Sequence, residues 1–179
     1  YIVSLLSNSY KDCSSEFYSA AMNEGFSDYW SAQKTKSPDL IYISISKEEL
    51  GADIYEEYER HLNNNRILTS NMLVDKCDNI NNVNVSYYSA GTIWASALWE
   101  AYHNQNINIQ NFNKYLLESY SCISNVVKLK NTITMATPIN CFVEILKTKS
   151  DVSSQQIDNI CDIFNNRFSI IGSEIYECN

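Results

Sequence analysis

The chain has 179 residues, 45% apolar and 19% charged, enough for one globular domain with its own hydrophobic core and too apolar for a disordered segment. Net charge is -8, from 13 basic and 21 acidic residues, with no basic cluster to follow a phosphate backbone, so nucleic acid is excluded as an expected partner. No apolar run approaches the roughly 20 residues of a membrane span, and no membrane partner is expected.

In chain order, residues 1–6 are short and apolar and read as the tail of a helix. Residues 17–33 form a helix candidate with Met22, Phe26, Tyr29 and Trp30 on one face. In 40–46, Ile41, Ile43 and Ile45 alternate with Tyr42, Ser44 and Ser46, the period of a half-buried strand. Residues 47–62 are ambiguous, helical by Leu50, Ile54, Tyr58 and Leu62. The Asn-rich patches 63–65 and 79–84 read as loops. Ala90, Ile93, Trp94, Ala97, Leu98 and Ala101 recur at helical offsets, and their small members imply close packing. Phe112, Tyr115, Leu116 and Tyr120 mark the next helix. Thr137-Pro138 has the form of an N-cap followed by proline at the first helical position, with Phe142, Ile145 and Leu146 inward. Ser153-Ser154-Gln155-Gln156 has the form of a capping box ahead of Ile157, Ile160, Cys161 and Phe164. With only four Gly and two Pro, the expected fold is mainly α, one domain over 1–179, with five or six helices and at most a short strand around 40–46.

Six scattered cysteines, Cys13, Cys77, Cys122, Cys141, Cys161 and Cys178, contain no Cys-x-x-Cys pair for a zinc knuckle. Their even count favours disulfides and an oxidising, extracellular compartment over buried free thiols. Their pairing stays open.

Chemistry concentrates in 17–33. Glu24 and Asp28, four apart, share a helix face with Phe17, Ala20 and Ala21, while the opposite face is aromatic. Two carboxylates in such surroundings need compensation, because a buried charge without a partner costs several kcal/mol. A metal ion would supply it, with one acid as ligand and the other orienting a second ligand. The plainer alternative is a pair of acids at the solvent edge, or salt-bridged to Lys34 or an arginine.

The wording Ala20-Ala21-Met22-Asn23-Glu24-Gly25-Phe26-Ser27-Asp28-Tyr29-Trp30 resembles the glutamate-bearing helix of the gluzincins, the thermolysin-like and fungalysin-like zinc peptidases. The resemblance implies that Glu24 is the third protein ligand of Zn2+ and that Asp28 hydrogen-bonds a zinc-binding histidine. Gly91-Thr92-Ile93-Trp94-Ala95-Ser96-Ala97-Leu98-Trp99-Glu100 is similar to a later helix of the same enzymes, and Phe164-Asn165-Asn166-Arg167-Phe168 to the end of their last helix, with Phe168 where glycine is usual. Arg60-His61-Leu62-Asn63-Asn64 resembles the segment whose arginine contacts substrate, which makes Arg60 a candidate for carbonyl binding; its alternative is a surface ion pair with Glu56, Glu57 or Glu59.

Two departures qualify this. The family's His-Glu-x-x-His motif is absent, and His61 and His103 are ordinary histidines by their spacing. Because 1–6 is similar to the helical continuation of that motif, the histidines are expected immediately upstream of Tyr1. The chain would then be the C-terminal lobe, catalytically incomplete alone, with the N-terminal lobe of the same protein as its partner. The second departure is Tyr88, which stands where a histidine normally donates to the oxyanion; a phenol is also a donor. A second donor is expected at Tyr10 or Tyr18. The implied activity is zinc-dependent hydrolysis of protein or peptide substrates outside the cell. The alternative is a non-catalytic helical binding module or degenerate pseudopeptidase.

Overall fold

The structure is a computed structural model and describes residues 13–40, 60–72 and 83–179. The architecture is mainly α, as expected. Among the described residues five α-helices carry it: α1 (Cys13–Thr35), α2 (Val83–Gln105), α3 (Ile109–Lys130), α4 (Ala136–Lys147) and α5 (Ser154–Arg167). A short 3-10 turn at Ser70–Met72 precedes α2, and two more, Ser169–Glu174 and Tyr176–Cys178, follow α5. Among the described residues there is no strand, only a single antiparallel bridge between Asp39 and His61. Residues 41–46, where a strand was expected, and the helical tail at 1–6 lie outside the described residues, as do 47–59. Residues 60–62 are not helical: the Leu40 amide donates to the Arg60 carbonyl at 3.1 Å and Leu62 to Pro38 at 2.9 Å.

Helices α1 and α2 form the centre. The aromatic face read from the sequence is inward, with Met22, Phe26 and Tyr29 at most 1% exposed and Trp30 packed against them. Phe26 meets the Trp94 ring edge-on at 5.5 Å and Tyr120 at 4.6 Å, and Trp94 stacks on Phe164. These contacts join α1, α2, α3 and α5 in one core. The polar tips find partners, Tyr29 Oη donating to Asn113 and Trp30 Nε1 to Tyr120, as buried polar groups require.

The α1–α2 crossing is unusually close. A Cβ built on Gly25 would overlap the Gly91 carbonyl and lie 2.8 Å from Trp94 Cδ1; one on Gly91 would lie 2.6 Å from the Ala21 oxygen. The two backbones therefore touch directly, the close packing that the small residues around Ala90 implied.

Two helix starts differ from their sequence signatures. Helix α4 begins at Ala136, with Met135 as N-cap and no side-chain cap, so Thr137 is its second residue and Pro138 its third. The Thr137 hydroxyl accepts from Thr134 N at 3.1 Å, capping the preceding turn instead. Pro138 is tolerated because amides in the first turn have no intrahelical acceptor. Asn84 lies in the first turn of α2, not in a loop. The capping box at α5 is present: Ser153 Oγ accepts from Gln156 N at 3.3 Å and Gln156 Oε1 from Ser153 N at 2.9 Å. Ser153→Ala is expected to lower the unfolding free energy by about 1 kcal/mol, read from the urea midpoint at unchanged slope; an unaltered midpoint would show the cap to be idle.

Among the described residues two disulfides are formed, Cys122–Cys141 between α3 and α4 and Cys161–Cys178 from α5 to the C-terminal turn. Cys77 lies outside the described residues. Disulfides fit an oxidising compartment. No described helix is long and apolar enough to cross a membrane.

Candidate functional site

Four of the residues singled out from the sequence converge, although they span 24 to 88 in the chain. Glu24 and Asp28 project from one face of α1, as their spacing of four requires. Arg60 comes from the 60–62 stretch that the Asp39–His61 bridge pairs with 38–40, and Tyr88 from α2, one turn before the crossing at Gly91. Arg60 Nη1 donates to Glu24 Oε2 and Asp28 Oδ1, both at 2.9 Å, and its guanidinium carbon lies 4.8 Å from the centre of the Tyr88 ring. Gly91 brings this about: a Cβ there would lie 2.6 Å from the Ala21 carbonyl oxygen and 3.2 Å from Glu24 Cβ, so a bare backbone lets α2 approach the acid-bearing face.

The two acids are unequally buried. The Glu24 side chain is 32% exposed, that of Asp28 9% and that of Arg60 18%. The sequence reading put both acids inside; only Asp28 is. Burial pushes the Asp28 carboxyl up to about 6 from an ordinary 3.8, against the pull of Arg60 and with a further push from Glu24. Burial acts to lower the Arg60 guanidinium, but Asp28 and Glu24 outweigh it and hold Arg60 above its ordinary value. The arginine therefore stays charged while Asp28 takes up a proton near pH 6.

Two polar atoms at this place are buried and have no partner among the described residues: Asp28 Oδ2, an acceptor, and Arg60 Nε, a donor. The second Asp28 oxygen suits an N–H from residues outside those described, which is what an orienting acceptor behind a metal-bound imidazole requires. Glu24 offers a half-exposed carboxylate on the open side. Among the described residues no group of three His, Cys, Asp or Glu side chains lies close enough to hold a metal ion. The residues present thus fit one ligand and one orienting acceptor of a zinc site, and further ligands would have to come from elsewhere.

The remaining candidates lie apart or outside. Tyr18 is on α1, about 120° around the helix from Glu24 by its offset of six, and packs edge-on against Phe17 at 5.4 Å. Tyr10 falls outside the described residues, as do Glu56, Glu57 and Glu59. His61 pairs with Asp39, and His103 Nδ1 meets the Trp99 carbonyl at 2.8 Å.

Arg167 has no role of its own in the resemblance, only a place in the 164–168 helix ending. In the fold it is 6% exposed at the end of α5, and its guanidinium holds Glu100 and the carbonyls of Asn64 and Arg66. The signal available beforehand was an arginine between two core phenylalanines, Phe164 and Phe168, since a buried cation implies fixed partners.

No protein-family profile, curated protein or solved structure compared with the chain matches it.

Proposed function

We propose that this chain is the glutamate-bearing lobe of a secreted zinc metallopeptidase of the gluzincin type, acting on protein or peptide substrates together with the N-terminal lobe of the same protein. The observation that supports this reading most is the meeting of Glu24, Asp28, Arg60 and Tyr88. The resemblance gives each of them a role, and the fold brings Arg60 and Tyr88 to the two acids of α1 from other parts of the chain. Glu24 is the zinc ligand, and Asp28, through its unpartnered oxygen, orients an imidazole ligand. When bound, the zinc supplies a Lewis acid and an activated water. This chain's own contribution is to fix that ligand, to hold Arg60 where its guanidinium can donate to a substrate carbonyl, and to offer the Tyr88 phenol as an oxyanion donor.

One observation favours a second reading. Arg60 already pairs with both acids, an ion triad that needs no metal, as in a non-catalytic helical module or a pseudopeptidase. Metal analysis separates the two. The intact protein is expected to hold zinc at one per chain and to cleave casein, and Glu24→Ala to lose the zinc and at least about 100-fold in kcat/KM, the scale of losing a metal-site group. Stoichiometric zinc in Glu24→Ala would remove Glu24 as a ligand, and a metal-free, inactive intact protein would leave the binding-module reading standing.

A further inference from the structure

Arg60 is useful to either reading only if it is held still, and the segment that follows it has little structure of its own. Residues 62–68 belong to no helix or ladder, so their carbonyls need donors from elsewhere. We propose that Arg167 is the positioning residue for Arg60: a buried guanidinium that clamps 62–68 onto α2 and α5 and thereby fixes the direction in which Arg60 leaves the segment.

The contacts are specific. Arg167 Nε and Nη2 donate to Glu100 Oε2 at 2.8 and 2.6 Å, anchoring the guanidinium to α2. Nη2 also donates to the Asn64 carbonyl at 2.5 Å, and Nη1 to the Arg66 carbonyl at 3.2 Å and to Asn64 Oδ1 at 3.5 Å. The Arg167 carbonyl accepts from Leu68 N at 2.7 Å, and the buried Ser96 hydroxyl donates to the Leu62 carbonyl at 2.5 Å. Asn64 Oδ1 accepts from Arg66 N at 2.8 Å, which shapes the turn between the two clamped carbonyls. Between Arg60 and the clamped carbonyls the backbone is paired: the Arg60 carbonyl accepts from Leu40 N and Leu62 N donates to the Pro38 carbonyl. The bridge thus holds 60–62 directly, and Arg167 clamps the stretch that continues from it, so that the end carrying Arg60 cannot peel away from Pro38 and Leu40. Only arginine's planar fork reaches a carboxylate and two carbonyls at once; lysine keeps the charge but presents a point donor.

The inference deepens the proposed function, since Arg60 is the carbonyl donor there, but its test does not depend on peptidase activity. In the intact protein, phenylglyoxal modification of Arg60 is followed by mass spectrometry, because a paired and mostly buried guanidinium reacts slowly. Arg167→Lys is expected to speed modification of Arg60 at least about tenfold, the effect of easing a local opening by a hydrogen bond or two. Ile160→Val, which loosens the core side of the same helix, is expected to leave that rate unchanged, as a merely structural role for Arg167 would not. Glu100→Gln keeps the shape, frees the anchor and is expected to shift the rate in the same direction by less. An unchanged Arg60 rate in folded Arg167→Lys overturns the proposal. If Arg167→Lys fails to fold, an unchanged rate in Glu100→Gln overturns it instead. Absence of zinc with Arg60 still protected by Arg167 would sink the peptidase reading alone.

Discussion

Gly25→Ala is expected to destabilise the protein by about 3 kcal/mol, although alanine in place of glycine in a helix interior ordinarily stabilises by roughly 0.5–1 kcal/mol. The reversal of sign follows from what the new methyl meets. It would run into the Gly91 backbone carbonyl and come within 2.8 Å of Trp94 Cδ1. The carbonyl belongs to a helix and cannot rotate away, and Trp94 is fully buried between Phe26 and Phe164. The remaining response is for α1 and α2 to move apart, which opens the core along the most extensive helix contact of the fold. The site would register this at once, because Glu24 adjoins Gly25 and Tyr88 lies one turn before Gly91. Gly91→Ala should behave alike, its methyl lying 2.6 Å from the Ala21 carbonyl oxygen. Gly172, by contrast, has open space around its would-be Cβ, so Gly172→Ala is the control expected to stay within about 0.5 kcal/mol. Urea unfolding with the disulfides intact measures all three, and a Gly25→Ala midpoint at or above wild type would mean that the two backbones do not touch.

Much of this arrangement could be read from local pattern, and the misreadings have local causes. The recurrence of Ala90, Ile93, Trp94, Ala97, Leu98 and Ala101 predicts a buried helix because six small or apolar residues on one periodic stripe have few other uses. The capping box at Ser153 predicts a helix start because both of its hydrogen bonds lie within four residues. Thr137-Pro138 misled for the same reason in reverse. The threonine does cap a turn with its hydroxyl, but the turn is the one before it, and Pro138 is harmless anywhere in a first turn. What local pattern could not supply was the third charge. Spacing put Glu24 and Asp28 on one face, yet whether a metal, a lysine or an arginine answered them depends on Arg60, 32 residues beyond Asp28. Arg167 was harder still, since its partners lie 67 and 103 residues away. The burial of Glu24 was overstated because the helix turns it toward the open side, something a count of apolar neighbours along α1 does not reveal.

The pH dependence of stability should expose Asp28. Its folded carboxyl titrates at about 6, against an ordinary 3.8. The folded state therefore keeps a proton that the unfolded chain has already released, and stability from this group is complete below about pH 4 and is lost as the pH rises through 6. The gap corresponds to about 3 kcal/mol, with little screening for a side chain only 9% exposed. Other carboxylates titrate in the same range, so the informative quantity is the difference between wild type and Asp28→Asn, which keeps the shape and cannot ionise. In the metal-free chain, Asp28→Asn should gain on wild type by about 3 kcal/mol between pH 4 and pH 7, read from thermal midpoints at fixed ionic strength. A flat difference would mean that Arg60 fully offsets the burial of Asp28. The same measurement on the intact protein with zinc added bears on the unpartnered Asp28 Oδ2. An imidazole N–H donated to that oxygen stabilises the ionised form and draws the carboxyl back toward its ordinary range. The difference between wild type and Asp28→Asn should then shrink toward zero at pH 7 or change sign. If zinc leaves it at its metal-free value, Asp28 orients no ligand, and the acid belongs to Arg60 alone.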